Sequence, residues 1–237
     1  MKYLVVLLTI MVLLVGNLFA DEQSNKILEK VIEAKGGLKA IKKIKTVSSE
    51  SEGLILTENQ NIKISTRIIL PDKYSVAMSK LSVTYLRIIN ENKTRLSLNG
   101  QPVKQTKDED QEAFNSIYRS ELYILTHLED KTTSTAFKGE DKWQDTEVYK
   151  IMIDISGANV ILYIDKTSYR IIGKSYETKH QLGTLQVEEV YRDYKTIENV
   201  VIPMRTLTRI NGNGYIDATI KTIEFNGKID KKIFNLD

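Results

Sequence analysis

The spacing of apolar residues divides this chain into short helical stretches and a long stretch with strand character. After Ser24, apolar residues recur at helical spacing, which predicts an N-terminal helix capped by that serine. The pair Gly36–Gly37 predicts the end of this helix, because glycine readily adopts the left-handed conformation required there. A short second helix is predicted over Leu38–Ile44.

From Thr46 onward apolar and polar residues alternate, and this period of two predicts β-strands. The strands predicted in the first half are Gly53–Leu56, Asn61–Leu70, Lys73–Met78, Val83–Asn90 and Thr94–Leu98. Those predicted in the second half are Thr132–Phe137, Glu147–Asp154, Asn159–Asp165, Tyr169–Thr178, Gly183–Tyr194, Val200–Ile210 and Gly214–Phe225. The connections within each half are short, which permits antiparallel hairpins and excludes parallel crossovers.

A longer helix is predicted between the two halves, at about Asp108–Leu128. Its apolar stripe consists of Ala113, Phe114, Ile117, Tyr118, Leu122, Leu125 and Leu128. The polar stretch Gln101–Asp110 that leads into it suits a hinge. We therefore predict that this helix acts as a lid, with its stripe against either the sheet or a ligand.

The apolar pattern of the strands predicts the architecture. Ile151–Ile153 and Val160–Ile164 are apolar on both faces, so both faces must be covered. Two helices are too few to cover so many strands. The pattern predicts an α+β fold that is mainly antiparallel β: an incomplete curved β-barrel of about 11 strands, with helices over its open side and an apolar hollow for a ligand. Residues 21–237 are predicted to form a single domain.

The first twenty residues have the layout of a secretory signal peptide. Lys2 precedes the apolar run Tyr3–Val15, which is shorter than the ~20 residues that span a membrane. Ala20 precedes the acidic pair Asp21–Glu22. We predict cleavage after Ala20 and export to the periplasm. The alternative is an uncleaved N-terminal anchor.

Composition excludes much enzyme chemistry. The 237 residues include no Cys and two His, which excludes a thiol nucleophile, a disulfide framework and a His-rich metal centre. The net charge of +3 gives no indication of nucleic-acid binding. The adjacent carboxylates of Glu188 and Glu189 point to opposite faces of a strand, so this pair alone cannot converge on a glycosidic bond. We predict no catalytic residue, no metal and no cofactor.

Several local sequences resemble the periplasmic lipoprotein carriers LolA and LolB and their relatives, the outer-membrane lipoprotein-sorting proteins. They are Ile32–Gly37 followed by Ile41–Thr46, Leu162–Arg170, Tyr191–Tyr194 with Val201–Pro203, and Phe225–Asn226 with Ile229–Asp230 and Phe234. The order of elements is similar as well, and the resemblance covers most of Ser24–Asp237. LolB is itself a lipoprotein, and the absence of Cys departs from that pattern.

The resemblance implies an incomplete antiparallel barrel whose helices cover an apolar cavity for acyl chains. In LolA an Arg on a strand near the helices holds the lid closed, and Arg67 and Arg87 lie on comparable strands here. The residues that we expect to line the cavity or lid are Phe114, Ile117, Tyr118, Leu122, Leu125, Tyr85, Arg87 and Tyr163.

Our leading hypothesis is a monomeric, non-enzymatic carrier that binds the acyl chains of lipoproteins or another hydrophobic ligand. It would exchange this ligand with membrane-bound donor and acceptor proteins. Burial of alkyl chains contributes about 0.8 kcal/mol per methylene and requires no cofactor. The alternative is a periplasmic sensor or accessory interaction module that uses the same fold to bind a protein partner.

Overall fold

A computed structural model describes residues 22–180 and 183–236. The predicted signal peptide and its cleavage site lie outside these residues. None of the helices in the described ranges is long and apolar enough to cross a membrane.

Within the described ranges, four α-helices precede or interrupt the strands. Helix α1 covers residues 22–35, and α2 covers Leu38–Lys43 after the Gly36–Gly37 break. Helix α3 is Lys107–Tyr118 and α4 is Glu121–Thr126. A 3₁₀ turn, Lys231–Phe234, follows the last strand.

The strands alternate with tight turns on both sides of α3 and α4. The first six are β1 Thr46–Ile55, β2 Gln60–Ile69, β3 Lys73–Lys80, β4 Val83–Asn90, β5 Lys93–Leu98 and β6 Gln101–Val103. The rest are β7 Thr133–Trp143, β8 Thr146–Ile155, β9 Ala158–Asp165, β10 Ile171–His180, β11 Gly183–Ile197, β12 Val200–Ile210 and β13 Asn213–Phe225.

All these strands form one curved antiparallel sheet, in the order β6-β5-β4-β3-β2-β1-β13-β12-β11-β10-β9-β8-β7. The sheet does not close, since β6 and β7 are its two edges. The predicted fold class, an incomplete antiparallel barrel with helices, is confirmed. Within the described residues the sheet has 13 strands rather than about 11. The sequence predicts a hinge over Gln101–Asp110, whereas the Asn99–Gly100 turn returns Gln101–Val103 to the sheet as β6.

The helices pack on one face of the sheet, which we call the inner face. The main core joins α1 and α4 to strands β8–β10, with Val31, Leu125, Ile151 and Leu162 almost fully buried. A second cluster packs Ala113 and Ile117 of α3 onto strands β3 and β4. Residues of the inner face alternate along each strand with residues of the outer face.

Two details of the helices differ from expectation. Ser24 was predicted to cap α1, but residues 22–24 are already helical, and the buried Ser24 hydroxyl lies 2.9 Å from that of Thr135. The single helix predicted over Asp108–Leu128 is two helices, because Ser120 caps a new helix and accepts a hydrogen bond from the Tyr123 amide.

Candidate ligand-binding site

The inner face of β3 and β4 can be traced outward from the helices. Tyr74 and Ile89 lie opposite each other on these strands and pack against Ala113 and Ile117 of α3. Residues two positions further along each strand lie on the same face but beyond the helical cover. The inner face therefore has a covered part under α3 and an uncovered part next to it.

The uncovered part of the inner face is apolar. Four of its side chains are 37–41% exposed, which is high for large apolar residues facing a core: Val76, Tyr85, Leu98 and Val103. The strand register places them next to one another, since Tyr85 pairs with Leu98, and Leu96 pairs with Val103. Together with Met78 and Leu96 they form what we call the apolar surface. An exposed patch of this kind indicates a ligand or partner.

Arg87 lies within the apolar surface, between Val76 on β3 and Leu96 on β5. Its Nη1 donates a hydrogen bond of 3.3 Å to the Thr94 hydroxyl. Burial among apolar groups lowers the pKa of Arg87, while the negative charges of Asp110 and Glu109 oppose that shift. The charge of Arg87 is therefore within electrostatic range of the acidic first turn of α3. Arg67, by contrast, lies on the outer face and pairs with Glu50.

The predicted helix residues lie at the interface between helices and sheet. Ile117 and Leu125 are buried in core clusters. Phe114, Tyr118 and Leu122 are partly buried and pack against the same clusters. Of these residues, Phe114 and Ile117 pack against Tyr74 and Ile89, beside the apolar surface, whereas Leu125 belongs to the main core. That the helices move as a lid stays a prediction.

Tyr163 is not brought together with the other predicted residues. It alternates along β9 with the buried inner residues Leu162 and Ile164, so it lies on the outer face. There its ring stacks on Trp143 at a centroid distance of 4.3 Å, and its hydroxyl lies 3.0 Å from that of Ser175. The candidate site on the inner face therefore excludes Tyr163.

A buried polar network under α3 was missed by sequence reasoning. Lys174 Nζ on β10 donates to the Arg119 carbonyl at 2.9 Å and lies 3.3 Å from a carboxylate oxygen of Glu189 on β11. Glu189 also accepts hydrogen bonds from Tyr176 and Tyr191. Burial and the nearby Glu189 charge raise the pKa of both tyrosines, so they stay protonated. The sequence did contain a signal for this network, because Lys174 and Glu189 lie on neighbouring predicted strands at positions that face inward.

Arg119 connects this network to α3. The side chain is 4% exposed, forms an ion pair with Glu112 and lies over the Tyr176 ring at 4.5 Å. Its Nη2 donates to the Glu177 carbonyl at 3.1 Å. Arg119 therefore holds the side of α3 that lies opposite its apolar stripe against β10, through its charge and its hydrogen bonds.

A cavity of about 620 Å³ opens beside Arg119, between α3 and the ends of β9–β11. Most of the residues that line it are polar, whereas apolar atoms, including those of Met152, Val160 and Ile161, form the larger part of its wall. No group of three or more His, Asp or Glu side chains within residues 22–180 and 183–236 is placed to hold a metal ion.

Comparisons with known proteins agree with this geometry at the level of the fold. Neither a family model nor a curated protein matches the sequence. A solved LolA superfamily protein from Nitrosomonas europaea superposes with a TM-score of 0.54 at 11% identity, covering 89% of this chain and 96% of its own. The fold is LolA-like.

Two further solved structures have the same LolA-like fold. An outer membrane lipoprotein-sorting protein domain from Vibrio parahaemolyticus gives a TM-score of 0.51 at 11% identity, covering 88% of this chain and 95% of its own. A DUF1329 family protein from Desulfovibrio piger gives 0.54 at 7% identity, covering 90% and 97%. At these identities the similarity concerns the fold alone.

Proposed function

We propose that this protein is an exported, non-enzymatic carrier that binds acyl chains on the apolar surface of β3–β6. The observation that carries the proposal is the exposure of Val76, Tyr85, Leu98 and Val103 on the inner face, beside the helices. An acyl chain laid on this surface would remove apolar area from water on both partners, worth about 25 cal/mol per Å². Such non-directional binding suits reversible transfer of a ligand.

The cargo class that we propose is a lipoprotein or another acylated molecule. The LolA-like fold and the lipoprotein-sorting domain that shares it support this choice. The apolar run at residues 3–15 supports export, with cleavage after Ala20 and action in the periplasm as a one-domain monomer. Membrane-bound donor and acceptor proteins would supply and receive the cargo.

Fluorescent fatty acid binding to protein produced without residues 1–20 tests the proposal. Leu98→Asp places a carboxylate within the apolar surface, beside Tyr85, where an acyl chain cannot pair with it. We expect the affinity to fall at least tenfold. The free energy of unfolding should change little, because Leu98 is already half exposed.

Leu81→Asp is the matched control. Leu81 is 84% exposed in the turn between β3 and β4, beyond the apolar surface, and its positive φ of 53° is tolerated by Asp. It should bind the fatty acid like the parent protein. Equal binding by parent, Leu98→Asp and Leu81→Asp would exclude the apolar surface as the acyl site. Mass spectrometry of co-purifying lipid would then show whether any acyl ligand is carried.

A further inference from the structure

The cavity beside Arg119 lies where two neighbouring strands part. Strands β9 and β10 pair from Ile164 and Ile171 only as far as Ile161 and Ser175. Beyond this point β10 continues through Tyr176 to His180 and pairs with β11 alone, while the first residues of β9 pair with β8 alone. The segment Tyr176–Lys179 therefore has an edge with no strand beside it in the part of the chain that the structure describes.

The backbone groups of this edge face the cavity. The Glu177 carbonyl points away from β11, because it accepts its hydrogen bond from Arg119. In an antiparallel strand the N–H and C=O of one residue point to the same side, and successive residues alternate. The Glu177 amide and both backbone groups of Lys179 thus point into the cavity, which these residues line.

The cavity wall supplies further hydrogen-bonding groups. Helix α3 turns a polar face to the cavity, with residues at helical spacing: Asp108, Gln111, Glu112 and Asn115. Asn159, Thr178 and Gln186 line the cavity from the strands. Arg119 lines the same cavity, and its buried Nε has no hydrogen-bond partner within the described residues. A buried donor without a partner is costly, so a ligand acceptor would stabilise it.

We propose that this cavity, which we call the edge cleft, binds an extended polypeptide segment that pairs with the free edge of β10. A peptide beside Tyr176–Lys179 would span about 13 Å at 3.3 Å per residue. Main-chain hydrogen bonds would provide affinity, and the amide side chains would bind peptide groups not paired with the strand. The edge cleft is thus a β-strand addition site.

The chemistry of the cleft favours peptide over carbohydrate. A sugar site usually offers an open aromatic face, and the Tyr176 ring has Arg119 over it. The ionisable groups of the wall are Asp108, Glu112 and Glu177 against Arg119 and Lys179, an excess of one negative charge. Segments of neutral or basic residues therefore fit better than acidic ones.

This inference rests on the proposed function, because it assigns the cleft to the polypeptide that follows the acylated residue of a cargo. Helix α3 lies between the two surfaces. Its apolar side, with Ala113 and Ile117, packs beside the acyl site, and its polar side forms the cleft. An acylated peptide would contact both sides, whereas a free fatty acid would contact only the apolar surface.

Hydrogen–deuterium exchange with three probes tests this assignment: palmitate, an N-palmitoylated octapeptide of Ser, Thr, Asn and Lys, and its fully backbone N-methylated analogue. The palmitoylated octapeptide should slow exchange of the Glu177 and Lys179 amides, which point into the cleft, at least tenfold. Palmitate should not. The N-methylated analogue should bind no better than palmitate, because it has lost the donors that pair with a strand edge.

A pair of amide variants provides the second readout. Asn115→Ala removes a side-chain amide from the cleft. It should lower the affinity for the palmitoylated octapeptide by about threefold to tenfold, without changing the affinity for palmitate. Asn61→Ala, on the exposed outer face of β2, is the matched control and should change neither. If palmitate binds but the palmitoylated octapeptide adds no protection at residues 176–179, the edge cleft alone is overturned. If palmitate does not bind to the parent protein, the proposed function is overturned instead.

Discussion

At the scale of single residues, Gly173 has no room for a side chain. A Cβ atom built there would lie 2.0 Å from the Trp143 ring and 2.4 Å from the Glu189 carbonyl oxygen. The indole covers this glycine on the outer face and stacks on Tyr163. The sequence showed one Trp near a strand start. Its position on Gly173 depends on the register of the strands and on the missing side chain of that glycine, three strands away in the sheet.

Gly173→Ala should lower the free energy of unfolding. Overpacking costs about 1–3 kcal/mol, and the upper end applies because a backbone carbonyl cannot move aside as a side chain can. The denaturant midpoint measures it. Gly53→Ala is the control: its nearest contacts would be 3.1–3.2 Å, so its loss should be smaller. An equal loss for both variants would contradict the tight packing of Trp143 on Gly173.

Tyr74→Phe should leave the free energy of unfolding unchanged or raise it by up to about 1 kcal/mol. The Tyr74 hydroxyl is buried and has no partner within residues 22–180 and 183–236, and burial raises its pKa. Removing an unsatisfied buried hydroxyl removes a desolvation cost. Urea denaturation measures the change. Tyr176→Phe is the comparison, because its hydroxyl donates to Glu189 and its loss should destabilise. A similar loss at both positions would show that Tyr74 has a partner.

At the scale of elements, the helices illustrate what sequence can and cannot predict. Glycine pairs and apolar spacing located α1, its end and α2, because these signals are local. The break between α3 and α4 was missed: the apolar stripe continues across Arg119–Ser120, and the capping serine is a weaker signal than the stripe. The capping box of Thr106 and Glu109 sets the start of α3.

Ile117→Ala tests how firmly α3 is held. Ile117 is buried against β3 and β4, so a loss of about 2–5 kcal/mol is expected if the site is well packed. Ile151→Ala in the main core is the control. A smaller loss at Ile117 than at Ile151, with weaker fatty acid binding, would indicate a helix that moves as a lid. A full loss with unchanged binding would indicate core alone. Denaturant midpoints and fluorescent fatty acid titrations separate these outcomes.

At the scale of the whole molecule, the two arms of the sheet differ. The arm of β7–β10 is filled by α1 and α4, whereas the arm of β3–β6 is only partly covered by α3. Apolar residues on both faces of Ile151–Ile153 and Val160–Ile164 predicted two-sided burial in the first arm. There the inner face is buried, whereas Met152, Ile161 and Tyr163 on the outer face are half-buried. The sequence pattern could not predict the apolar surface, because apolar and polar residues alternate in the same way whether the apolar face is covered or exposed. Nor could it place Lys174 beside Glu189, because pairing depends on register between strands.

The pairing of β1 with β13 has a consequence for how the chain reaches its native state. Thr46 and Phe225 belong to neighbouring strands, although about three quarters of the sequence lies between them. All the other neighbouring strands in the sheet are consecutive in the chain. Two meanders of low contact order can therefore form early and separately. Their union at this seam demands one costly long-range loop closure, which slows folding. If the chain is exported with its N-terminus first, as proposed, the sheet can be completed only after β13 has crossed the membrane. Until then the β1 edge has no partner strand and is accessible to chaperones.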